Sequence, residues 1–69
     1  MKSYQEIGNT IKELRTDKRL TQLQLAEALK VSVATIKRWE QGNIKKVKAS
    51  QIVNVANYFK VSVYYILGI

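Results

Sequence analysis

The fold of this chain is decided by the stretch QLQLAEALKVSVATIKRWEQ, residues 22–41. Its apolar residues recur at the three- and four-residue spacing of helices, in two short groups that are separated by residues 30–32. Thr21 precedes the first group and has Gln24 three residues later, which is the pattern of a capping box, and Ser32 can cap the second group. The spacing therefore predicts two helices of about eight to ten residues, joined by a turn of about three residues.

Two such helices form a helix-turn-helix. In this motif the first helix crosses the DNA backbone, and the second, the recognition helix, lies in the major groove with its N-terminal residues at base edges. The spacing resembles the twenty-residue DNA-binding motif, in which the position of Ala26 lies where the two helices touch and little more than a methyl group fits. Lys30 departs from the motif, in which glycine is usual after the first helix, because a left-handed lysine costs roughly 1 kcal/mol. The apolar positions of the motif are occupied by Leu25, Leu29, Val31, Ile36 and Trp39. Spacing alone also fits an αα-hairpin of another small bundle.

Size and composition restrict the possible folds and partners. The 69 residues predict one domain, near the lower limit for a chain that folds on its own core. There is no cysteine, so packing must supply the stability, and the lack of proline with only three glycines favours helices. Twelve lysines and arginines against five acidic residues give a net charge of +7, which indicates a polyanionic partner.

Several classes of protein are disfavoured by the composition. The chain has no histidine and no cysteine, hence no imidazole base, no thiol nucleophile and no zinc ligand set. We expect no enzyme, no metal, no cofactor and no small-molecule ligand. There is no secretory signal in the polar N-terminal segment MKSYQEIGNT, and the apolar C-terminal stretch VSVYYILGI is too short to span a bilayer. We therefore expect a cytoplasmic protein that is not bound to a membrane.

Three further helices are predicted outside the motif. A capping box that starts at Ser3 begins a helix over about residues 4–17. Apolar periodicity returns over residues 49–59, and Lys60 is expected to end that helix as a left-handed residue. Ser62 can cap a last short helix. The expected fold is all-α, a compact domain of five helices without internal repeats.

Four phrases of the sequence resemble successive blocks of the Cro/CI-type, or XRE, helix-turn-helix family of phage and bacterial repressors: IGNTIKELR, LTQLQLAEALKVS, IKRWEQG and VANYFKVSVYYILG. They occur in the order of the family and cover nearly the whole chain. The resemblance implies a lambda-repressor-like domain that binds double-stranded operator DNA, usually as a two-fold homodimer on a pseudopalindromic site. It implies a transcriptional regulator, and a repressor more than any other kind.

The resemblance also implies which residues contact the bases. The recognition helix, about residues 33–41, is expected to present four residues to the major groove: Val33, Ala34, Lys37 and Arg38. Arg38 is expected to form the bidentate pair with guanine O6 and N7, and the two small apolar residues are expected to contact thymine methyl groups. Two alternatives stay open: Lys37 contacts only phosphate, or Val33 packs against the preceding helix.

Contacts to the DNA backbone are expected from two places. Thr21 and Gln22 begin the first motif helix, where free N–H groups can meet a phosphate. The second place is a loop with Lys45, Lys46 and Lys48. These lysines precede the positive end of a helix, which is unfavourable by a few tenths of a kcal/mol unless an anion is near. The alternative is a solvated loop. Arg15 and Glu40 are expected to form a structural ion pair, as in the family.

Two other function classes fit the same fold. An antitoxin or a bridging protein-interaction module would hold a protein in place of DNA, and the basic recognition face argues against it. A basic amphipathic membrane binder would need one long helix, whereas the basic residues lie in two separated places.

The C-terminal end of the chain is unusually apolar. Tyr64 and Tyr65 stand beside three aliphatic residues, Ile66, Leu67 and Ile69, and form a larger apolar end than a small domain normally exposes. Either a two-fold mate covers this end, or further residues follow, as they do in a CI-type repressor. The second alternative is favoured. In that case residues 1–69 are the N-terminal part of a longer repressor, and this domain is mainly monomeric without DNA.

Overall fold

The computed structural model describes residues 1–69 and contains five α-helices and no β-strand. In chain order the helices are α1 (Tyr4–Asp17), α2 (Gln22–Leu29), α3 (Val33–Glu40), α4 (Ala49–Phe59) and α5 (Val63–Leu67). The predicted all-α, five-helix fold is confirmed. Helix α3, the predicted recognition helix, is one residue shorter than predicted, because Gln41 is its C-cap. None of the five helices is both long and apolar enough to cross a membrane.

Local hydrogen bonds explain where four of the helices begin. Each starts after a hydroxyl side chain that accepts a hydrogen bond from the backbone N–H three residues later; these caps are Ser3, Thr21, Ser32 and Ser62. A cap of this kind satisfies an N–H group that has no partner in the helix and contributes about 1 kcal/mol. At α1 the Ser3 N–H also donates to the Glu6 carboxylate at 2.9 Å, and this hydrogen bond lowers the pKa of Glu6.

Helix α4 begins without such a cap. It follows Lys48, whose ammonium group cannot accept, and the Lys48 N–H donates to Gln51 Oε1 at 2.9 Å. The N–H groups of Ala49 and Ser50 have no hydrogen-bond acceptor within the protein. The positive end of α4 is therefore open to an anion from outside the chain.

Left-handed residues other than glycine end the helices α1, α2 and α4. The predicted left-handed conformations of Lys30 (φ 59°) and Lys60 (φ 57°) are confirmed, and Arg19 (φ 56°) adds a third that the sequence did not indicate. After each of them, the N–H of an apolar residue returns to a carbonyl five residues earlier, at 3.0–3.1 Å. These apolar residues pack against the core: Leu20, Val31 and Val61. The hydrogen bond and the packing together offset the strain of the left-handed residue.

The expectation of no internal repeat is wrong at one place. The sequence KVSV occurs at residues 30–33, between α2 and α3, and again at residues 60–63, between α4 and α5. In both copies the lysine is left-handed and the serine caps the next helix. The two helix pairs are therefore joined by turns of the same local structure.

The core of the protein is a single group of twelve buried apolar residues from all five helices and one loop: Ile7, Ile11, Leu25, Ala26, Ile36, Trp39, Ile44, Ile52, Val55, Ala56, Phe59 and Ile66. The core position of Trp39 agrees with its place among the apolar positions of the predicted motif. The core position of Ile44 was not predicted, because Ile44 lies in the predicted lysine loop. Its side chain is only 3% exposed. Its burial anchors the loop after α3 to the domain.

Helix α1 lies directly against the C-terminal end of α3. Gly8 is buried there, and a Cβ atom at this position would overlap with the carbonyl oxygen of Trp39 and approach that of Glu40 to 3.1 Å. The glycine is needed because the two backbones come so close. The recognition helix is thus held by a second helix in addition to α2.

Candidate nucleic-acid interface

Helices α2 and α3 form the predicted helix-turn-helix. Lys30 ends α2 in the left-handed conformation, and Ser32 caps α3 through a hydrogen bond of 3.2 Å from the Thr35 N–H. The two helices bury four residues in the shared core: Leu25, Ala26, Ile36 and Trp39. The opposite face of α3 is left on the surface, where it can meet a partner.

The four predicted base-contact residues do not all have the expected exposure. Ala34, Lys37 and Arg38 lie on the exposed face of α3. Val33 is half-buried and packs against the core, so the prediction that it belongs to the solvent face is only partly right. Val33 stands three residues before the buried Ile36, so the two side chains are neighbours on one face of α3. The surface that Val33 offers to a base is correspondingly smaller.

A chain of side-chain hydrogen bonds runs along the first two turns of α3. Ser32 Oγ and Thr35 Oγ1 are hydrogen-bonded at 2.9 Å, with either hydroxyl able to donate, and Arg38 Nη2 donates to Thr35 Oγ1 at 3.1 Å. Sequence reasoning did not select Thr35. The signal was available, because a hydroxyl residue and an arginine three positions apart are neighbours on a helix face.

The predicted pair of Arg15 and Glu40 is present as a buried salt bridge. Arg15 Nε donates to Glu40 Oε2 at 2.6 Å and Nη2 donates to Oε1 at 3.1 Å, while Nη1 donates to the Leu20 carbonyl at 2.6 Å. Gln22 Nε2 donates to Glu40 Oε1 at 3.0 Å. The fork geometry and the extra donors compensate the cost of burying the two charges. This network joins α1, the start of α2 and the end of α3.

Gln22 therefore has a place that the sequence did not indicate. Its side chain is half-buried and donates to Glu40, whereas Thr21 is exposed. The N–H groups of Gln22 and Leu23 have no acceptor within the protein. A phosphate at the start of α2 would meet these backbone donors, with the Gln22 side chain held beside them.

The loop after α3 is basic and well anchored. Gly42 (φ 89°) makes the turn, and Ile44 is buried. The three predicted loop lysines are all exposed: Lys45, Lys46 and Lys48. The positive end of α4, which has no side-chain cap, lies next to these ammonium groups. The helix end and the lysines therefore carry charge of the same sign.

Two open clefts are lined by residues of both α3 and the loop that follows it. One, of about 250 Å³, is lined by residues that include Thr35, Arg38, Lys46 and Lys48. The other, of about 400 Å³, is lined by six residues: Tyr4, Arg38, Gly42, Asn43, Lys45 and Lys46. Neither cleft is lined by a carboxylate. Arg38 borders both clefts, and Tyr4 is a residue of this surface that the sequence did not indicate.

Comparison with known proteins agrees with this geometry. A family model described as helix-turn-helix, of the XRE type, matches residues 11–66. The chain belongs to this family. The match confirms the resemblance to Cro/CI-type repressors that the sequence indicated, and it identifies the chain as a DNA-binding domain of the kind found in transcriptional regulators.

Solved structures with the same fold include a regulator and an enzyme. The clp gene regulator ClgR from C. glutamicum is 30% identical, with a TM-score of 0.78 over 93% of this chain and 82% of that chain. Hydroxypropylphosphonic acid epoxidase from S. wedmorenis is 19% identical, with a TM-score of 0.85 over 93% of this chain and 34% of that chain. At that identity the second likeness shows the fold alone. No curated protein matches the chain.

Proposed function

We propose that residues 1–69 form one domain that binds a specific sequence of double-stranded DNA for a transcriptional repressor, with α3 in the major groove. The family match and the similarity to ClgR, a gene regulator, support the regulatory part. One observation carries the proposal furthest. Arg38 of α3 and the exposed lysines of the following loop border common clefts that no carboxylate lines, beside the uncapped start of α4.

Base recognition in this proposal belongs to the exposed face of α3. Arg38 pairs with guanine O6 and N7, and Lys37 contacts a neighbouring base edge or phosphate. Ala34, and Val33 with its smaller exposed surface, contact thymine methyl groups. The buried pair of Arg15 and Glu40 fixes the end of α3 against α1 and so fixes the angle at which α3 enters the groove.

Two phosphate sites flank the recognition helix. At one side, Thr21, Gln22 and the free N–H groups at the start of α2 meet a phosphate. At the other side, the open start of α4 and the three loop lysines, Lys45, Lys46 and Lys48, meet two or three neighbouring phosphates. In the free protein the loop lysines and the positive end of α4 repel each other, and an anion at this place offsets that repulsion.

Two copies of the domain bind a pseudopalindromic site, with half-sites about one helical turn apart, so that each copy places its α3 in the groove on the same face of the DNA. The exposed apolar residues at the chain ends provide the surface for a weak contact between the copies; they are Met1, Tyr64, Tyr65 and Ile69.

The first experiment selects bound sequences from random duplexes and then measures binding to the best duplex. Arg38→Ala is expected to lose roughly 1–3 kcal/mol there and to relax the preference at one base pair, because a bidentate base contact is removed. Lys46→Ala is expected to weaken all sequences equally. Lys12→Ala is the matched control, since Lys12 is an exposed lysine of α1 that borders neither cleft. An Arg38→Ala variant with the affinity and selectivity of the parent would refute the base contact.

Salt dependence tests the phosphate contacts. Three or four phosphates per half-site give a slope of log K against log salt concentration near −3 per domain, from roughly −0.9 per phosphate. Replacing Lys45, Lys46 and Lys48 together by alanine is expected to flatten the slope by about two units. An unchanged slope would mean that the loop is a solvated connector and not a phosphate site.

A further inference from the structure

The side chain of Arg38 is held by its own helix. Arg38 Nη2 donates to Thr35 Oγ1 at 3.1 Å, and Thr35 Oγ1 lies 2.9 Å from Ser32 Oγ, which also accepts from the Thr35 N–H at 3.2 Å. Thr35 is thus tied at two points to the N-cap of α3, and its methyl-bearing Cβ restricts it to few rotamers. The guanidinium of an otherwise exposed arginine is bound to a fixed acceptor.

The direction of this hydrogen bond matters for a helix that reads DNA. Side chains of a helix lean toward its N-terminus, and the bond to Thr35 extends Arg38 along that direction. The N-terminal end of α3 is the end that approaches the base edges in this motif. One of the five N–H groups of the guanidinium is used by Thr35, and the others are left for the bidentate pair with guanine.

In the conformation that is bonded to Thr35, Arg38 also borders the cleft of about 400 Å³ beside Tyr4, Lys45 and Lys46, where a DNA phosphate would lie in the proposed complex. An arginine that points into this cleft adds a phosphate contact and carries no sequence information. The same side chain can therefore read a base or bind the backbone, depending on what holds its guanidinium.

We propose that Thr35 is a positioning residue that keeps the Arg38 guanidinium directed toward the base edge, instead of into the cleft that it borders, and so determines the specificity of the domain at one base pair. This inference rests on the proposed function, because it requires that α3 lies in the major groove. Thr35 itself needs no contact with DNA. Its hydroxyl acts through Arg38.

The test replaces the hydroxyl without changing the shape. Thr35→Val keeps the β-branch and removes the acceptor, whereas Thr35→Ser keeps the acceptor. Thr16→Val is the matched control, since Thr16 is an exposed helical threonine on α1 whose hydroxyl donates to the Lys12 carbonyl at 3.0 Å. Each variant is selected against random duplexes, measured on the parent's best duplex over a range of salt, and unfolded in urea.

Three results are expected together. Thr35→Val loses the preference at one base pair by about tenfold, at the same position as Arg38→Ala. It steepens the salt slope by up to about 0.9, because the released arginine reaches a phosphate. Thr35→Ser retains the parent's preference. The double variant Thr35→Val/Arg38→Ala behaves like Arg38→Ala alone, since Thr35 acts only through that side chain.

Other results separate the two proposals. If the parent selects a sequence and Thr35→Val keeps the same preference, the positioning role is overturned while the proposed function stands. Additive losses in the double variant overturn it too, because Thr35 then acts independently of Arg38. A parent that selects no sequence at all overturns the proposed function and this inference with it. A midpoint in urea equal to that of Thr16→Val shows that a change in preference does not come from unfolding.

Discussion

The same four residues, KVSV, join α2 to α3 at residues 30–33 and α4 to α5 at residues 60–63, and the two turns have almost the same geometry. The lysine φ values are 59° and 57°, and the N-cap serine has ψ 153° in both copies. In each copy the valine N–H donates to an alanine carbonyl at 3.0 Å. The same buried residue types flank the two turns, an alanine before and an isoleucine after: Ala26 and Ile36, Ala56 and Ile66.

The two copies differ in the helix that follows the turn. Helix α3 has eight residues and exposes Lys37 and Arg38, whereas α5 has five residues and exposes Tyr64 and Tyr65. The buried salt bridge to α1 is made by α3. The turn therefore sets how two successive helices are joined, while the surface residues of the second helix determine what the helix pair can bind.

The largest effect is expected from breaking the buried salt bridge between Arg15 and Glu40, which belongs to α3, the helix that follows the first KVSV turn. Arg15→Ala leaves Glu40 buried without its charged partner, so we expect a loss of about 3 kcal/mol in the free energy of unfolding. Glu40→Gln keeps an oxygen for the donors and is expected to lose less. Lys12→Ala, on the exposed side of the same helix, should change stability by no more than about 0.5 kcal/mol. Equal urea midpoints for Arg15→Ala and Lys12→Ala would contradict a structural role for the pair.

The next effect compares the two capping serines. Ser32→Ala and Ser62→Ala each remove a hydrogen bond to the N–H three residues later, and each should cost about 1 kcal/mol of stability. The two variants should differ in a DNA titration. Ser32→Ala should weaken DNA binding by more than its effect on stability explains, because α3 begins at that cap. Ser62→Ala should not. Thr16→Ala is the control, since Thr16 is an exposed hydroxyl residue within α1 that caps no helix. Equal DNA affinities for the two cap variants would argue against α3 as the reading helix.

A smaller effect is expected at the two left-handed lysines. Lys30→Gly and Lys60→Gly each relieve the strain of a positive φ and should raise the free energy of unfolding by about 0.5–1 kcal/mol. The gain should be the same at the two positions if the turns are equivalent. Lys18→Gly is the control, because Lys18 has φ −91° and carries no such strain. Calorimetric midpoints that fall in both variants would show that the lysine side chains stabilise the turns by contacts of their own.

The smallest effect is expected at the exposed face of α5 in the absence of DNA. Tyr64 is 68% exposed, and we expect the domain to be mainly monomeric at tens of micromolar. Tyr64→Ser should then leave the sedimentation coefficient unchanged and reduce only the cooperativity of two copies on one DNA. A stable dimer that Tyr64→Ser dissociates would show instead that this face is the main contact between copies.

Most of the fold was predictable because its signals are local. The caps at Ser3, Thr21, Ser32 and Ser62 predicted where four helices begin, and the helical spacing of apolar residues predicted the bounds of α1, α3 and α4 to within one residue. The left-handed lysines were predictable for the same reason, since each stands between the last apolar residue of one helix and the cap of the next. The repeat of KVSV at residues 30–33 and 60–63 is a local signal of the same kind.

What was missed depends on contacts between segments distant in the chain. Ile44 lies among lysines and polar residues, so nothing nearby indicates that it is buried. The hydrogen bond of Gln22 to Glu40 joins residues on two helices, and the place of Tyr4 beside the basic loop depends on how α1 packs against α3. Val33 has an apolar side chain at the boundary between the core and the exposed face of α3. Its spacing from the other residues of α3 fits a core position and a surface position equally.

Gly8 has a consequence for genetics. A side chain there would push α1 away from the carbonyl groups that end α3, although Gly8 is buried and remote from any base edge. In a screen for lost regulation, alleles at this codon would appear with those of the recognition helix, and a map of sensitive positions alone would assign Gly8 to the DNA surface. Purified variants separate the two groups: an Arg38 allele folds normally and fails only on DNA, whereas a Gly8 allele unfolds at lower temperature.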